Sequence, residues 1–246
     1  MLLALMSDIH ANREAFEACL AHARARDVGR FVFLGDFVGY GADPEWVLTT
    51  VMDLAAKGAL AVAGNHDRAT VSERGGMSED AAYAVGWTRS RLTPAMREFI
   101  DGLPLEIEEE DRLYVHADAS APAKWRYVTD TEMAAQSFAA ARARVTFVGH
   151  VHVPMLYGIT ATQKLMRFKP VTGEAVPLLR QRRWLGVLGS VGQPRDGDPA
   201  AAYSTYDTVT GDLICHRVAY DVLYASGKIR AAGLPAVLAD RLFEGH

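Results

Sequence analysis

Seven side chains with metal-binding heads stand where short apolar runs of this chain break off: Asp8, His10, Asp36, Asn65, His116, His150 and His152. The runs cover residues 2–6, 31–34, 59–63, 112–116 and 145–148. A carboxylate or imidazole at the end of a buried run is poorly solvated unless a positive charge or a hydrogen-bond partner sits beside it. Imidazoles mixed with oxygen donors, and no thiolate, suit manganese, iron, zinc or nickel. Seven donors are too many for one tetrahedral ion. They suit two ions if one carboxylate is shared. Each motif alone has an ordinary reading: Asp8 as a helix cap, Gly35-Asp36 as a turn, Gly64-Asn65-His66-Asp67 as a capped turn. Gly149-His150-Val151-His152 is more specific, because alternate histidines after a strand are costly to bury unpaired.

The elements that must position these groups follow from hydrophobic spacing. The five runs read as strands, apolar on both faces and hence buried in a sheet. Helices are expected over residues 13–26, where Ala15, Phe16, Cys19, Leu20 and Ala23 keep helical spacing, and over 44–57, with Asp43 as N-cap and Pro44 in the first turn. Further helices should begin at Ser78 and Pro94 and near Asp130, and one over residues 235–243 should close the chain. The polar, glycine-rich segment 68–76 reads as a mobile loop. Residues 105–109 and 112–116 read as a hairpin. After Pro154 come short alternating runs, at 155–159, 164–168, 174–178, 183–188, 202–207 and 212–218. These suggest a second, mostly antiparallel sheet built from this half. Ligands of open α/β sheets bind beyond the carboxyl ends of the strands, so mainly parallel strands would gather the donors at one edge. The expected fold class is α/β: a four-layer α/β/β/α sandwich with two mixed β-sheets, forming a single domain over residues 1–246.

Composition narrows the function classes. A formal charge of −4 over 246 residues gives no footprint for a nucleic-acid polymer or an anionic membrane. Cys19 and Cys215 are the two cysteines, and they form no disulfide framework or thiolate zinc site. Residues 1–6 are too short an apolar run for a signal peptide, and no run approaches the roughly 20 residues of a membrane span. A soluble protein of a reducing compartment, the cytoplasm, is expected. His10, His66, His116, His150 and His152 are five of the eight histidines. His22, His216 and His246 read as structural or solvent-facing. Motifs for P-loop, H-E-x-x-H and G-x-S-x-G chemistry are missing.

With these residues in order, the chain resembles the calcineurin-like metallophosphoesterases. Their signature of D-x-H, G-D, G-N-H-[DE], H and G-H-x-H stands here as Asp8-Ile9-His10, Gly35-Asp36, Gly64-Asn65-His66-Asp67, His116 and Gly149-His150-Val151-His152. The start Ser7-Asp8-Ile9-His10-Ala11-Asn12 is most similar to the small prokaryotic phosphodiesterase branch. The resemblance implies the same layered sandwich and two divalent metal ions, manganese foremost, with iron, zinc or nickel as alternatives. Asp8, His10 and His152 would hold one ion and Asn65, His116 and His150 the other, with Asp36 bridging. It also implies a water activated between the two ions and attacking phosphorus in line. His66 would contact the phosphoryl group or protonate the leaving oxygen, a contribution of about 10²–10⁴-fold.

Departures from the family pattern bear on the substrate. Its serine/threonine phosphatases carry G-D-x-V-D-R-G, where this chain has Gly35-Asp36-Phe37-Val38-Gly39-Tyr40-Gly41. The aspartate that supports the catalytic histidine is replaced by Gly39, and the phosphate-gripping arginine by Tyr40. A neutral phenol cannot replace a bidentate guanidinium. Phosphoproteins and symmetrical dinucleoside tetraphosphates are disfavoured as substrates, and Asp67 becomes the candidate to orient His66. Asn12 and Arg195 are the candidate substrate contacts. The expected function is a metal-dependent phosphodiesterase acting on a small phosphoester. The alternatives are a nucleotide phosphatase or pyrophosphatase of the same chemistry, or a lapsed enzyme kept as a binding scaffold.

Overall fold

Strand β1 (Leu2–Met6) shows why its residues are apolar on both faces. Leu3 and Leu5 pack between two sheets, whereas Ala4 and Met6 pack under helices. The computed structural model describes residues 1–72 and 76–246. After β1 come α1 (Arg13–Arg24), β2 (Arg30–Phe33), α2 (Pro44–Ala56), β3 (Leu60–Ala61), α3 (Asn65–Val71), α4 (Glu79–Arg89), α5 (Pro94–Gly102), β4 (Glu106–Glu109) and β5 (Arg112–Val115). A 3-10 turn at Pro122–Lys124 precedes α6 (Thr131–Ala140) and β6 (Val145–Val148). The chain continues as β7 (Met155–Thr160), β8 (Leu165–Phe168), β9 (Ala175–Pro177), β10 (Arg182–Val187), β11 (Ala201–Asp207), β12 (Asp212–Val218), α7 (Val222–Ala231) and α8 (Ala236–Glu244).

The described strands form two six-stranded sheets, ordered β3-β2-β1-β11-β12-β9 and β4-β5-β6-β10-β7-β8. Both are mixed. In the first, β1, β2 and β3 run parallel while β11 returns antiparallel to β1. In the second, β5, β6 and β10 run parallel, flanked by antiparallel β4 and β7. Val32, Leu34, Tyr114, Phe147, Trp184 and Tyr206 fill the space between the sheets. The outer face of the first sheet is covered by Phe16, Leu20, Val47, Val51 and Ile100 of α1, α2 and α5. The outer face of the second is covered by Ala134 and Phe138 of α6. This is the expected four-layer α/β/β/α sandwich.

Strands are dealt to the sheets differently from the sequence reading. The second sheet was expected from the half after Pro154, yet β5 and β6 belong to it and β9, β11 and β12 join the first. A run that is apolar on both faces shows that it is buried but not which neighbour it pairs with. Local readings are corrected as well. Residues 68–71 of the expected loop are helical, part of α3, where Ala69 and Thr70 are buried; residues 73–75 lie outside the described residues. Helix α7 was not foreseen. Asp43 occupies the N-cap of α2 without a side-chain capping bond, because its carboxylate pairs with Lys228.

The six parallel strands all end at the same rim, three from each sheet, and the two sheets face one another.

Candidate metal centre

The loops leaving these strands are short and tightly bound to each other. Asp8 N–H donates to Gly35 O at 3.0 Å, His10 N–H to Asp36 O at 2.9 Å, and Gly192 N–H to Asp8 O at 2.9 Å. A methyl group at Gly149 would lie 2.6 Å from Asp8 Oδ2, so the β6 loop abuts the β1 loop only through a glycine. Left-handed backbone aims the donors inward. Asp8, His10, Asp36, His150 and His152 have φ between 50° and 67°. Such conformations cost of order 1–3 kcal/mol each for a non-glycine residue and persist where the surroundings enforce them.

Both carboxylates are held by one oxygen and present the other. Asp8 Oδ2 accepts His150 N–H at 3.0 Å, and its Oδ1 is buried with no hydrogen-bond donor. Asp36 Oδ1 accepts His66 N–H at 2.8 Å, while Oδ2 lies 3.8 Å from His10 Nε2 and 3.3 Å from His116 Nε2.

The imidazoles follow the same rule. His10 Nδ1 lies 3.2 Å from Val38 O, His116 Nδ1 2.6 Å from Leu34 O, and His152 Nδ1 2.6 Å from Gln193 O. His150 uses its other nitrogen, Nε2, 2.9 Å from Trp125 O. A carbonyl accepts only, so each of these ring nitrogens carries a proton, and in a neutral ring the inward nitrogen is left as a lone pair. His10 Nε2 and His152 Nε2 then face each other at 3.1 Å as two lone pairs. That arrangement is repulsive unless a proton or a metal cation lies between them. Asp8 Oδ1, 3.1 Å from His152 Nε2, completes the donor set.

Among the described residues, donor atoms fall within 4.8 Å of one another in three trios: Asp8, His10 and His152; His10, Asp36 and His66; and Asp36, His116 and His150. Asn65 joins the third, with Oδ1 3.2 Å from His116 Nε2. The residues present therefore fit divalent metal: an orphaned buried carboxylate oxygen, imidazoles each held by a carbonyl at one nitrogen with the other turned inward, and Asp36 shared between two trios.

Burial would raise the Asp8 carboxyl, but neighbouring His152 overrides it and holds the group well below the carboxylate range. Burial acts the same way on Asp36 and is overridden by His116 and His66. Burial lowers His150 to about 3 and His66 to about 4. His116 is the exception: burial lowers it, but the Asp36 carboxylate beside it raises it to about 9.

His66 lacks the carbonyl partner that the other four histidines have; its Nδ1 is buried without any hydrogen bond. Asp67, the expected orienting group, makes no hydrogen bond to His66 Nδ1. The Asp67 carboxylate accepts N–H from Asp36 (2.8 Å), Phe37 (2.8 Å), Val38 (3.3 Å) and Gly64 (2.9 Å). Three of these four bonds fix the Asp36 loop, and the fourth caps α3. The His66 ring is set instead by packing, 4.5 Å from the Tyr40 ring and 4.9 Å edge-on from His10. Gly39 is required beside it, because a Cβ there would collide with Nδ1.

The remaining expected residues are also accounted for. Asn12 Oδ1 caps α1 through Ala15 N–H at 3.2 Å, and Nδ2 donates to Gly192 O at 2.9 Å and Tyr220 Oη at 3.3 Å. It lines the same crevice as His10 and Tyr40, but its amide is engaged with the fold. The Arg195 guanidinium lies 5.8 Å from the Tyr40 ring centre, with Nη2 2.9 Å from Gln193 Oε1. His22 bonds Tyr203 Oη and His216 bonds Thr205 Oγ1, both structural as expected. Asp118 is buried and accepts from Ser120 and Ser137, fixing the segment after His116. Sequence reasoning missed Tyr40 as a packing partner of His66 and the segment Trp125–Tyr127 beside His150. The cluster Lys124-Trp125-Arg126-Tyr127, eight residues past His116, was the available signal.

Fold and donor set together define a metallohydrolase class. The family model for the calcineurin-like phosphoesterase superfamily domain matches residues 1–211, and the chain belongs to this family. It is similar to protein MJ0912 of Methanocaldococcus jannaschii, at 32% identity over all of this chain and 98% of that one. It is also similar to a metallophosphoesterase of known structure from Sphaerobacter thermophilus. That similarity is 34% identity, with a TM-score of 0.89 over 100% of this chain and 99% of the other. A protein of Pyrococcus horikoshii OT3, PH1004, shares the fold at 16% identity and a TM-score of 0.79, covering 100% of this chain and 98% of that one.

Proposed function

We propose that this phosphoesterase is a dinuclear phosphodiesterase acting on a small phosphoester. The observation that carries the reading is the facing pair of ring nitrogens on His10 and His152 beside the unpartnered Asp8 Oδ1, linked through Asp36 Oδ2 to the His116 side. One ion would be held by Asp8, His10, His152 and Asp36, the other by Asp36, Asn65, His116 and His150. Two divalent ions, manganese foremost, would supply an activated water and neutralise the phosphoryl oxygens. The chain's own residues do the rest. Asp67 clamps the backbone of the Asp36 loop, so the shared carboxylate enters the site already oriented. His66, neutral near pH 7 because burial lowers it to about 4, donates an N–H to the phosphoryl group. Arg195 supplies the positive charge that Tyr40 cannot, reaching over the Tyr40 ring. Asn12 braces the loop that carries Gly192 and Arg195. The charge of −4 disfavours nucleic-acid polymers and membranes as partners. Among the described residues no helix is long and apolar enough to cross a membrane. Action in the cytoplasm, as one domain over residues 1–246, completes the reading.

Dialysed protein is expected to hydrolyse bis-p-nitrophenyl phosphate when manganese is added, and to prefer it over p-nitrophenyl phosphate. No gain with any divalent ion would overturn the hydrolase reading. A preference for the monoester would overturn the diesterase assignment alone.

A further inference from the structure

The space around the centre is lopsided. On the His10 side, the crevice against Tyr40, Gln193 and Leu242 holds only about 10 Å³. On the opposite side, a cleft of about 620 Å³ opens directly on Asn65 and His150, donors of the third trio. That volume lies within the range of small-ligand sites. A phosphorus atom at the centre has room for an ester substituent on this second side.

The walls of the cleft describe that substituent. They carry the Trp125 indole, Tyr127, Met77 and Ala69, with Lys124 as the cation. Tyr127 is 50% exposed, unusual for an aromatic residue next to a buried site, and it lies stacked on His150 at 4.1 Å with the rings 14° from parallel. A further flat ring laid against Tyr127 would continue an existing stack, and the Trp125 indole offers a second flat face. Trp125 has left-handed backbone, φ 53°, and its carbonyl holds His150 Nε2. The strained residue that fixes a metal donor is thus the one that presents an indole to the cleft. Among the described residues the cleft has one lysine amid aromatic and apolar groups, which does not suit a polyphosphate tail that calls for several cations. It does suit a nucleobase, recognised by stacking with little regard to sequence.

We propose that this cleft is a nucleoside subsite, in which Trp125 and Tyr127 stack on the base of a nucleoside phosphodiester whose phosphorus lies at the centre. The proposal rests on the phosphodiesterase reading and adds the substrate class to it.

The test compares two diesters with the same leaving group, thymidine 5′-(p-nitrophenyl phosphate) and methyl p-nitrophenyl phosphate, on the manganese-supplemented protein. The thymidine ester is expected to show the higher kcat/KM by about 10-fold or more, the scale of one stacked base. Tyr127→Leu should bring the ratio of the two esters towards one, and Tyr127→Phe should keep it. Because the readout is a ratio, any general effect of the substitution on the centre cancels. A binding arm does not depend on turnover: adenosine 5′-monophosphate should quench tryptophan fluorescence at lower concentration than ribose 5-phosphate, and Trp125→Phe should remove most of the quench. Equal kcat/KM for both esters, with equal affinity for the two monophosphates, would overturn the subsite and leave the hydrolase standing. Absence of all hydrolysis would overturn the hydrolase reading, and the fluorescence arm would still decide the subsite.

Discussion

Gly64→Ala probes the shared carboxylate through a neighbour that has no chemistry of its own. A Cβ at this position would lie 2.7 Å from Asp36 Cγ, and closer still to Asp36 Oδ1 and to its amide nitrogen, where ordinary contact begins at 3.4 Å. The Asp36 amide cannot retreat freely, because it donates to Asp67 Oδ2 at 2.8 Å. Relief must therefore strain that bond and move the Asp36 side chain as well, by about 0.7 Å or more at Cγ. Metal donors tolerate displacements of about ±0.2 Å, and an error near 1 Å in a reacting group costs about 10²-fold in rate. The expected result is loss of at least one metal equivalent and a fall in bis-p-nitrophenyl phosphate turnover of about 100-fold or more. Crowding should lower stability by about 1–3 kcal/mol. Elemental analysis, initial rates and circular dichroism read the three effects. Gly86→Ala is the control, since nothing lies within 4 Å of a Cβ there and alanine favours the interior of α4 by about 0.5–1 kcal/mol. Asp36→Asn, which keeps the shape but weakens the shared donor, should reproduce the metal and rate losses without the crowding. A folded Gly64→Ala protein with full metal content and wild-type turnover would refute the reasoning.

Two further outcomes follow from single residues. His66→Ala should keep its metal content and lose turnover by about 10²-fold or more, because His66 supplies no metal donor in this account; retained turnover would remove its assigned role. His216, which bonds Thr205 Oγ1 and stacks on Tyr203, is lowered to about 4 by burial, with Arg26 and His22 adding to the effect. An unfolded imidazole titrates near 6.5. The contribution of His216 is therefore fully present above about pH 6.5 and is lost as the pH falls towards 4, the unfolded chain taking up the extra proton. Discounted for the hydrated part of the ring, the loss is about 1–2 kcal/mol. Thermal melts between pH 7 and 4.5 should show a shallower decline for His216→Phe than for the wild type, and identical slopes would contradict the assignment.

Legibility in the sequence divided along a physical line. The donors could be read because each ends a strand that is apolar on both faces, where a charged or imidazole group has no ordinary reason to stand. Asp36 and His150 were legible for this reason with no knowledge of their partners. Pairing was not legible: residues 145–148 and 60–61 look equally buried, yet they lie in different sheets. Helix α3 was hidden because its start at Asn65 depends on Asp67 accepting Gly64 N–H, a local bond that also serves the distant Asp36 loop. That second duty is why Asp67 is not the partner of His66. The tautomer pattern was out of reach as well, since each carbonyl that fixes a ring comes from a different loop: Val38, Leu34, Gln193 and Trp125.

The central claim is that Asp36 is shared by two ions. Anomalous diffraction at the manganese edge, from crystals grown with manganese, measures this directly. The account predicts two peaks about 3.5–4 Å apart, one beside Asp8, His10 and His152 and the other beside Asn65, His116 and His150, with Asp36 between them. A single peak, or peaks that leave Asp36 unligated, would contradict it.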